Sequence, residues 1–246
     1  ELEQRIIKLR RETGFGSDQI AVLLNESFKR EQKQRRVHAS LVYHVLVRNK
    51  VIKRERQRKK KLKFFEWGHP LHLIQADLTK FNGVTILTML DDYSRKGWSL
   101  ALKNGEDDTV IQGMKTLITT HFEHLLTDNG SQFSRKNAAM RKYCEQFVKK
   151  KHIWTSIHHP QTMGKLSAYQ KGLKRFLFHK LESSRDQKRI NQWISVYDHW
   201  YNNGKYHSRI DTYPEVRFSG KRDGSWYERF VKALKLENLL TISRKG

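Results

Sequence analysis

The sequence predicts a mixed α/β domain, a five-stranded sheet flanked by helices, preceded by a small all-α unit. Three observations predict it. Three short helical patterns open the chain before any strand pattern occurs. From residue 70, three strand-like runs follow one another, and strand and helix then alternate, giving β-β-β-α-β-α-β-α. That order builds a mixed sheet with helices on its faces. Between the two parts lies Lys53 to Lys63, in which eight of eleven residues are basic.

The elements are justified in order. Leu2, Ile6 and Leu9 recur at helical spacing over residues 2–13, and Gly14-Phe15-Gly16 ends that helix. Ser17 reads as an N-cap for a short second helix carrying Ile20, Val22, Leu23 and Leu24. A polar stretch from Lys29 to Arg36 separates it from a third helix, Ala39 to Arg48, with Leu41, Val42, Val45 and Leu46 inward. Three short helices with a basic approach suggest a helix-turn-helix unit over residues 1–52. Residues 53–67 then read as a basic linker, kept extended by like-charge repulsion.

Strands are expected at His72 to Thr79, Val84 to Leu90 and Gly97 to Leu102, with turn chemistry at Asp91-Asp92-Tyr93-Ser94. Asp107 to His121 is helical, with Val110, Met114, Leu117 and Ile118 on one side. Glu123 to Thr127 is a short strand that ends at Asp128-Asn129-Gly130. A helix from Lys136 to Lys149, a fifth strand at Ile153 to Ile157 and a long helix from Gly164 to Leu181 follow. Gln187 to Tyr201 is a further helix, and Trp193, Tyr197, Trp200 and Tyr201 are assigned to core. Residues 202–246 read as partly structured, with 219–246 a tail.

Charge narrows the partners. The chain has 246 residues, 49 Lys+Arg against 25 Asp+Glu and a net charge of +24. Polyanions release counterions on such a surface, and nucleic acid is the commonest of them. Residues 1–70 hold 19 basic and 8 acidic side chains, so the shorter part is the denser in charge. No apolar run approaches the roughly 18 residues that span a bilayer. The charged start carries no apolar signal core. The single cysteine, Cys144, excludes an internal disulfide framework and a Cys-pair zinc site, and fits a reducing cytoplasm.

Two carboxylates stand out by position. Asp77 falls inside the first strand and Asp128 where the fourth strand ends. On adjacent strands the two converge on one hard divalent cation, and magnesium, which keeps waters, needs little more than two carboxylates and a substrate phosphate. Paired ions about 4 Å apart serve phosphodiester cleavage by activating the attacking oxygen and stabilising the leaving one.

Gln75-Ala76-Asp77, Leu90-Asp91-Asp92-Tyr93-Ser94-Arg95, Leu126-Thr127-Asp128-Asn129-Gly130-Ser131-Gln132-Phe133 and His159-Pro160-Gln161-Thr162-Met163-Gly164-Lys165 occur in one order along the chain. They resemble the core of retroviral-type integrases and the related insertion-sequence transposases. Tyr201-Asn202-Asn203, Tyr206-His207-Ser208 and Tyr213-Pro214-Glu215-Val216 resemble the closing segment of that family. The likeness covers residues 68–218. It implies an RNase H-like fold, an Asp-Asp-Glu triad with Mg2+ or Mn2+, cleavage of DNA ends and their joining to target DNA. It also implies double-stranded DNA as partner, a homo-oligomer by analogy, and a cytoplasmic, DNA-associated location.

One departure is plain. The position of the family's third acid is Ser167, and no Asp or Glu occurs between Glu145 and Glu182. Glu182 lies over 20 Å farther along a straight helix at about 1.5 Å per residue. Leu166, Tyr169, Leu173 and Leu177 form the apolar stripe of that helix, while Ser167, Lys171 and Lys174 project from another face. Three readings stay open: a repurposed protein that binds DNA without cutting it, weak cutting on two aspartates, or a glutamate removed by engineering. His158 or His159 is a secondary ligand candidate. The basic side chains expected to meet phosphates are Lys53, Arg54, Arg56, Arg58, Lys59, Lys60, Lys61 and Lys63 in the linker, and Lys165, Lys171, Lys174 and Arg175 on the long helix. Asp91 and Asp92 are assigned to the turn, and Asn129 and Gln132 to positioning the Asp128 loop or DNA.

Overall fold

The structure, a computed structural model, describes residues 1–53, 66–155 and 163–240. Arg54, Arg56, Arg58, Lys59, Lys60, Lys61, Lys63, His158 and His159 lie outside the described residues.

The helices of the opening unit are α1 (Leu2–Thr13), α2 (Ser17–Arg30) and α3 (Ala39–Arg48). Gly14 ends α1 in the left-handed region at φ 67°, and a Cβ there would lie 2.1 Å from the His179 ring. Glycine is therefore required twice over, by the backbone and by the neighbour. The expected Ser17 cap is corrected. Gly16 is the N-cap, and the Gln19 side chain accepts its N–H at 2.6 Å, so Ser17 is already helical. The second helix also runs on to Arg30, into the stretch read as polar linker.

The sheet is built from β1 (Leu73–Phe81), β2 (Val84–Asp91), β3 (Gly97–Ala101), β4 (Phe122–Thr127) and β5 (Val148–Trp154), in the order β3-β2-β1-β4-β5. Strand β2 runs antiparallel to its neighbours β1 and β3, and β4 pairs parallel to both β1 and β5. The fifth strand starts five residues earlier than expected and ends at Trp154. Its leading half is an exposed edge of three lysines, which shows no strand alternation in the sequence. The preceding helix, α5 (Ala138–Phe147), is shorter than expected for the same reason.

Two cores cover the two faces. On one, α4 (Asp107–Leu117) and α5 pack Val110, Met114 and Tyr143 over Ile74, Ala76, Leu87 and Met89. On the other, α6 (Gly164–Leu181) and α7 (Gln187–Asn203) cover Leu73, Leu90 and Leu126. This second core is continuous with the opening helices. Phe15 stacks on Trp200 at 4.0 Å and on Phe230 at 5.6 Å between ring centroids. Fully burying a side chain of that size contributes about 1.5–3 kcal/mol. Tyr197, Trp200 and Tyr201 are buried core, and Trp193 packs against them partly buried, as expected.

The described part of the expected tail, through Leu240, carries two helices. Beyond α8 (Pro214–Ser219), α9 (Trp226–Leu234) buries Trp226, Tyr227, Phe230, Val231 and Leu234 on one side, and α10 (Glu237–Leu240) reaches back to α1 and α2. The spacing i, i+1, i+4, i+5, i+8 is an amphipathic-helix pattern present in the sequence. No described helix is long and apolar enough to cross a membrane.

Candidate active site

Parallel pairing sets the first two site residues. Leu73, Ile74 and Gln75 of β1 lie beside His124, Leu125 and Leu126 of β4. Two residues farther along each chain stand Asp77 and Asp128, so the register brings the two acids to the same end of the same strand pair. Alternation then puts Gln75, Asp77 and Thr79 on one face, the face covered by α6.

Helix α6 answers that row residue by residue. Gln75 donates to Asp92 at 2.8 Å, and Lys165 reaches both oxygens of Asp92 at 2.7 Å. Gln170 donates through Nε2 to Asp77 Oδ2 and to Thr88 Oγ1, both at 2.9 Å. Lys174 donates to Thr79 Oγ1 at 3.0 Å. The apolar stripe Leu166, Tyr169, Leu173 and Leu177 is buried as expected. Lys171 and Arg175 are exposed, and Ser167 is half-buried.

Burial pushes the Asp77 carboxyl above the usual carboxylate range. The hydrogen bond from Gln170 opposes that, the Asp128 charge adds to it, and Lys174 opposes it weakly. Asp128 is held by its own turn, accepting the Gly130 N–H at 3.0 Å. Asn129 ties this turn to the end of β5 through the Thr155 carbonyl at 2.7 Å. Gln132 is anchored to the Gly105 carbonyl at 3.3 Å. Both side chains brace the Asp128 loop.

The turn carboxylates do structural work, and Lys165 belongs with them. Asp91 accepts from Leu71 N at 2.8 Å, Ser94 N at 2.7 Å and Ser94 Oγ at 2.6 Å. Asp92, fully buried, takes the Trp67 N–H at 3.0 Å besides Lys165 and Gln75. Arg95 lies 4.0 Å from it and bonds Glu66 at 3.0 Å. Lys165, expected on DNA phosphate, thus has its ammonium committed to Asp92.

The position of α6 is fixed from behind. The Tyr169 hydroxyl donates to Asp198 on α7, and the Ser99 backbone N–H of β3 donates to the same carboxylate at 2.7 Å. Burial pushes Asp198 up to about 8. Gly97 lets the Tyr169 ring in, since a Cβ there would lie 2.5 Å from Cε2.

Two residues central to this arrangement have no distinctive sequence signal. Gln170 is a neutral amide, yet it is 7% exposed and contacts Asp77 directly. Its spacing of three from Ser167 and four from Lys174 is the only pointer to the site-facing side. Asp198 is one of 25 acidic residues and lies in a helix read from its aromatics.

The donor set fits one hard divalent ion. Two carboxylates meet at a strand end, and a cation between them would offset both the burial of Asp77 and the charge of Asp128. Among the described residues a second ion at this site has no comparable holder, since α6 carries no acidic residue and Ser167 offers only a hydroxyl.

No protein-family model and no curated protein matches the sequence. Solved structures do match. The catalytic core domain of BIV integrase aligns with a TM-score of 0.50 at 18% identity, over 61% of this chain and 95% of that one. The HTLV-2 integrase catalytic core domain in complex with magnesium, a trimeric form, gives 0.50 at 17%, over 61% and 97%. A simian T-cell lymphotropic virus intasome in complex with PP2A regulatory subunit B56 gamma gives 0.57 at 14%, over 88% and 75%. The chain has the RNase H-like fold of retroviral integrase catalytic cores.

Proposed function

We propose that this chain is a DNA transposase- or integrase-like protein whose phosphodiester site is weakened at its third ligand. The observation that carries this reading is the meeting of Asp77 and Asp128 at one end of the β1–β4 pair, under the helix that bears Ser167. The intasome and the magnesium complex among the structural neighbours support double-stranded DNA, a multimer and a hard divalent ion as partners.

Asp77 and Asp128 would hold Mg2+ or Mn2+. A bound ion of this kind supplies Lewis acidity at the scissile phosphate. Gln170 orients Asp77, and Asn129 braces the Asp128 turn. Exposed Lys171 and Arg175, with Lys174 beside Thr79, meet the DNA backbone near the site. Lys53 and the basic run after it add sequence-independent affinity. The opening helices bind DNA ends through α3, whose outward face carries His44, Arg48 and also Leu41, which was expected inward but is exposed. The location is DNA-associated and cytoplasmic.

Strand transfer of a labelled DNA end in manganese tests the reading. Loss of one well-placed electrostatic stabiliser elsewhere costs about 10²–10³ in rate. Ser167→Glu is therefore expected to join DNA at least about a hundredfold faster than the wild type. Equal, robust joining by both proteins would mean that another group completes the site.

A second reading has its own observation. Gln170 already occupies the buried side of Asp77, and no third acid is near on α6. A protein that binds DNA on this scaffold without cutting fits that arrangement. Specific binding of DNA ends with no manganese-dependent nicking, even in Ser167→Glu, selects it.

A further inference from the structure

At the other end of the β1–β4 pair, three side chains converge that the DNA reading does not use. His69 and His72 precede β1, and Glu123 is the second residue of β4. Their ligand atoms lie within 4.8 Å of one another. His69 Nε2 is 3.7 Å from Glu123 Oε1, and His72 Nε2 is 3.4 Å from Glu123 Oε2. The two rings stack at 4.3 Å with 14° between planes. We infer that His69, His72 and Glu123 form a binding site for a borderline transition-metal dication, zinc by preference, distinct from the Asp77–Asp128 site.

Four physical points carry it. The backbone beneath the ligands is fixed by strand pairing, with Glu123 N donating to Leu71 O at 2.9 Å and His124 N to His72 O at 3.0 Å. The two His–Glu separations need little change, while the stacked imidazoles must turn out of parallel so that both in-plane lone pairs meet one ion. Zinc bonds near 2.0–2.1 Å at a tetrahedral angle place two ligand atoms roughly 3.3–3.4 Å apart. The donor set, two imidazoles and one carboxylate, is that of three-ligand zinc sites with a position left for water. Finally, His69 Nδ1 faces the Pro70 carbonyl at 3.0 Å, so Nδ1 carries hydrogen and donates. Its Nε2, 3.7 Å from Glu123 Oε1, then keeps a lone pair for a metal ion. A carbonyl behind a histidine is also the usual way a ligating ring is aimed.

Two contacts compete with the ion. Lys150 Nζ sits 2.7 Å from Glu123 Oε2, and Gly68 N donates to His72 Nδ1 at 3.3 Å. Metal binding through His72 Nε2 gives up the second, which is already long. Lys150 is an exposed side chain and is free to swing away. The chemistry also separates the two sites. Imidazole suits zinc and its neighbours, whereas the all-oxygen pair suits magnesium.

The test is calorimetric titration of zinc chloride into the full chain, with cobalt absorption as a second readout. Wild type is expected to take up zinc at one site that excess magnesium does not displace. His72→Gln and Glu123→Gln should each weaken zinc at least tenfold. Lys150→Met should strengthen it, a change that no loss of structure produces. The Asp77→Asn/Asp128→Asn double variant should bind zinc like wild type, which separates this outcome from any failure of the DNA reading. Zinc affinity unchanged in His72→Gln, or lost in the double variant, overturns the site. Circular dichroism of each variant confirms that the fold is intact.

Discussion

Asp92 and Asp77 face the same helix from adjacent parts of the sheet, and they are treated in opposite ways. Asp92 is enclosed by Lys165, Arg95, Gln75 and the Trp67 N–H, so its charge is met within the protein. Asp77 meets one neutral amide, the Leu78 backbone N–H, a smaller influence from Lys174, and the like charge of Asp128. Asp198 follows a third course, with a tyrosine hydroxyl and a backbone N–H but no cation bonded to it. One carboxylate is neutralised by cations and one by holding its proton. The third, Asp77, is the one to which the proposed function assigns a metal ion. A half-buried acid with no cation bonded to it marks a functional position more surely than burial alone.

The largest effect that tests this contrast is at Asp92. Asp92→Ala leaves buried Arg95 and half-buried Lys165 without their shared partner, and breaking one side of a buried pair costs about 3–5 kcal/mol. Urea denaturation should show that loss. A change below 1 kcal/mol would erase the distinction between a structural and a functional carboxylate.

Asp198 gives the next effect, and it depends on pH. The folded carboxyl keeps its proton up to about pH 8, whereas the unfolded one ionises near its ordinary 3.8. Between those limits the folded state binds more protons, so stability falls as pH rises through the window. The slope is at most about 1.4 kcal/mol per pH unit. Asp198→Asn should flatten it in melts run from pH 4 to 8, and an unaltered slope would show the carboxyl ionised in the fold.

Asp77 gives the smallest change. Asp77→Asn removes a raised carboxyl and its repulsion with Asp128, so metal-free stability should hold or rise by up to about 1 kcal/mol. Manganese should raise the midpoint of wild type and leave that of the variant where it is. A destabilisation comparable with that of Asp92→Ala would make Asp77 a structural residue.

Much of this arrangement was legible before any coordinates. Helix α6 spans the residues its stripe predicts, and Asp77 and Asp128 meet because register follows from strand order. The rest depended on tertiary context. Lys165 is indistinguishable in sequence from Lys171, yet only the former has a buried carboxylate within reach. The fifth strand begins in consecutive lysines because it is an edge, where no alternation is enforced. Gln170 carries no charge, so a search for ligands passes over it. The missed α9 had its pattern in plain view, at Trp226, Phe230 and Leu234, and was lost among the basic residues around it.

The contact between the two ends of the chain has a temporal consequence. Arg5 Nε donates to the Leu239 carbonyl at 2.6 Å, a separation of 234 residues, and Phe15 lies against Phe230. Ribosomes add about 5–20 residues per second, so the first helix waits roughly 10–50 s for the last. Through that interval its apolar side and its dense positive charge face solvent together. Nascent α1–α3 are then a natural client for chaperones, and a polyanion that occupies the charge early would shield the same segment until its partner is made.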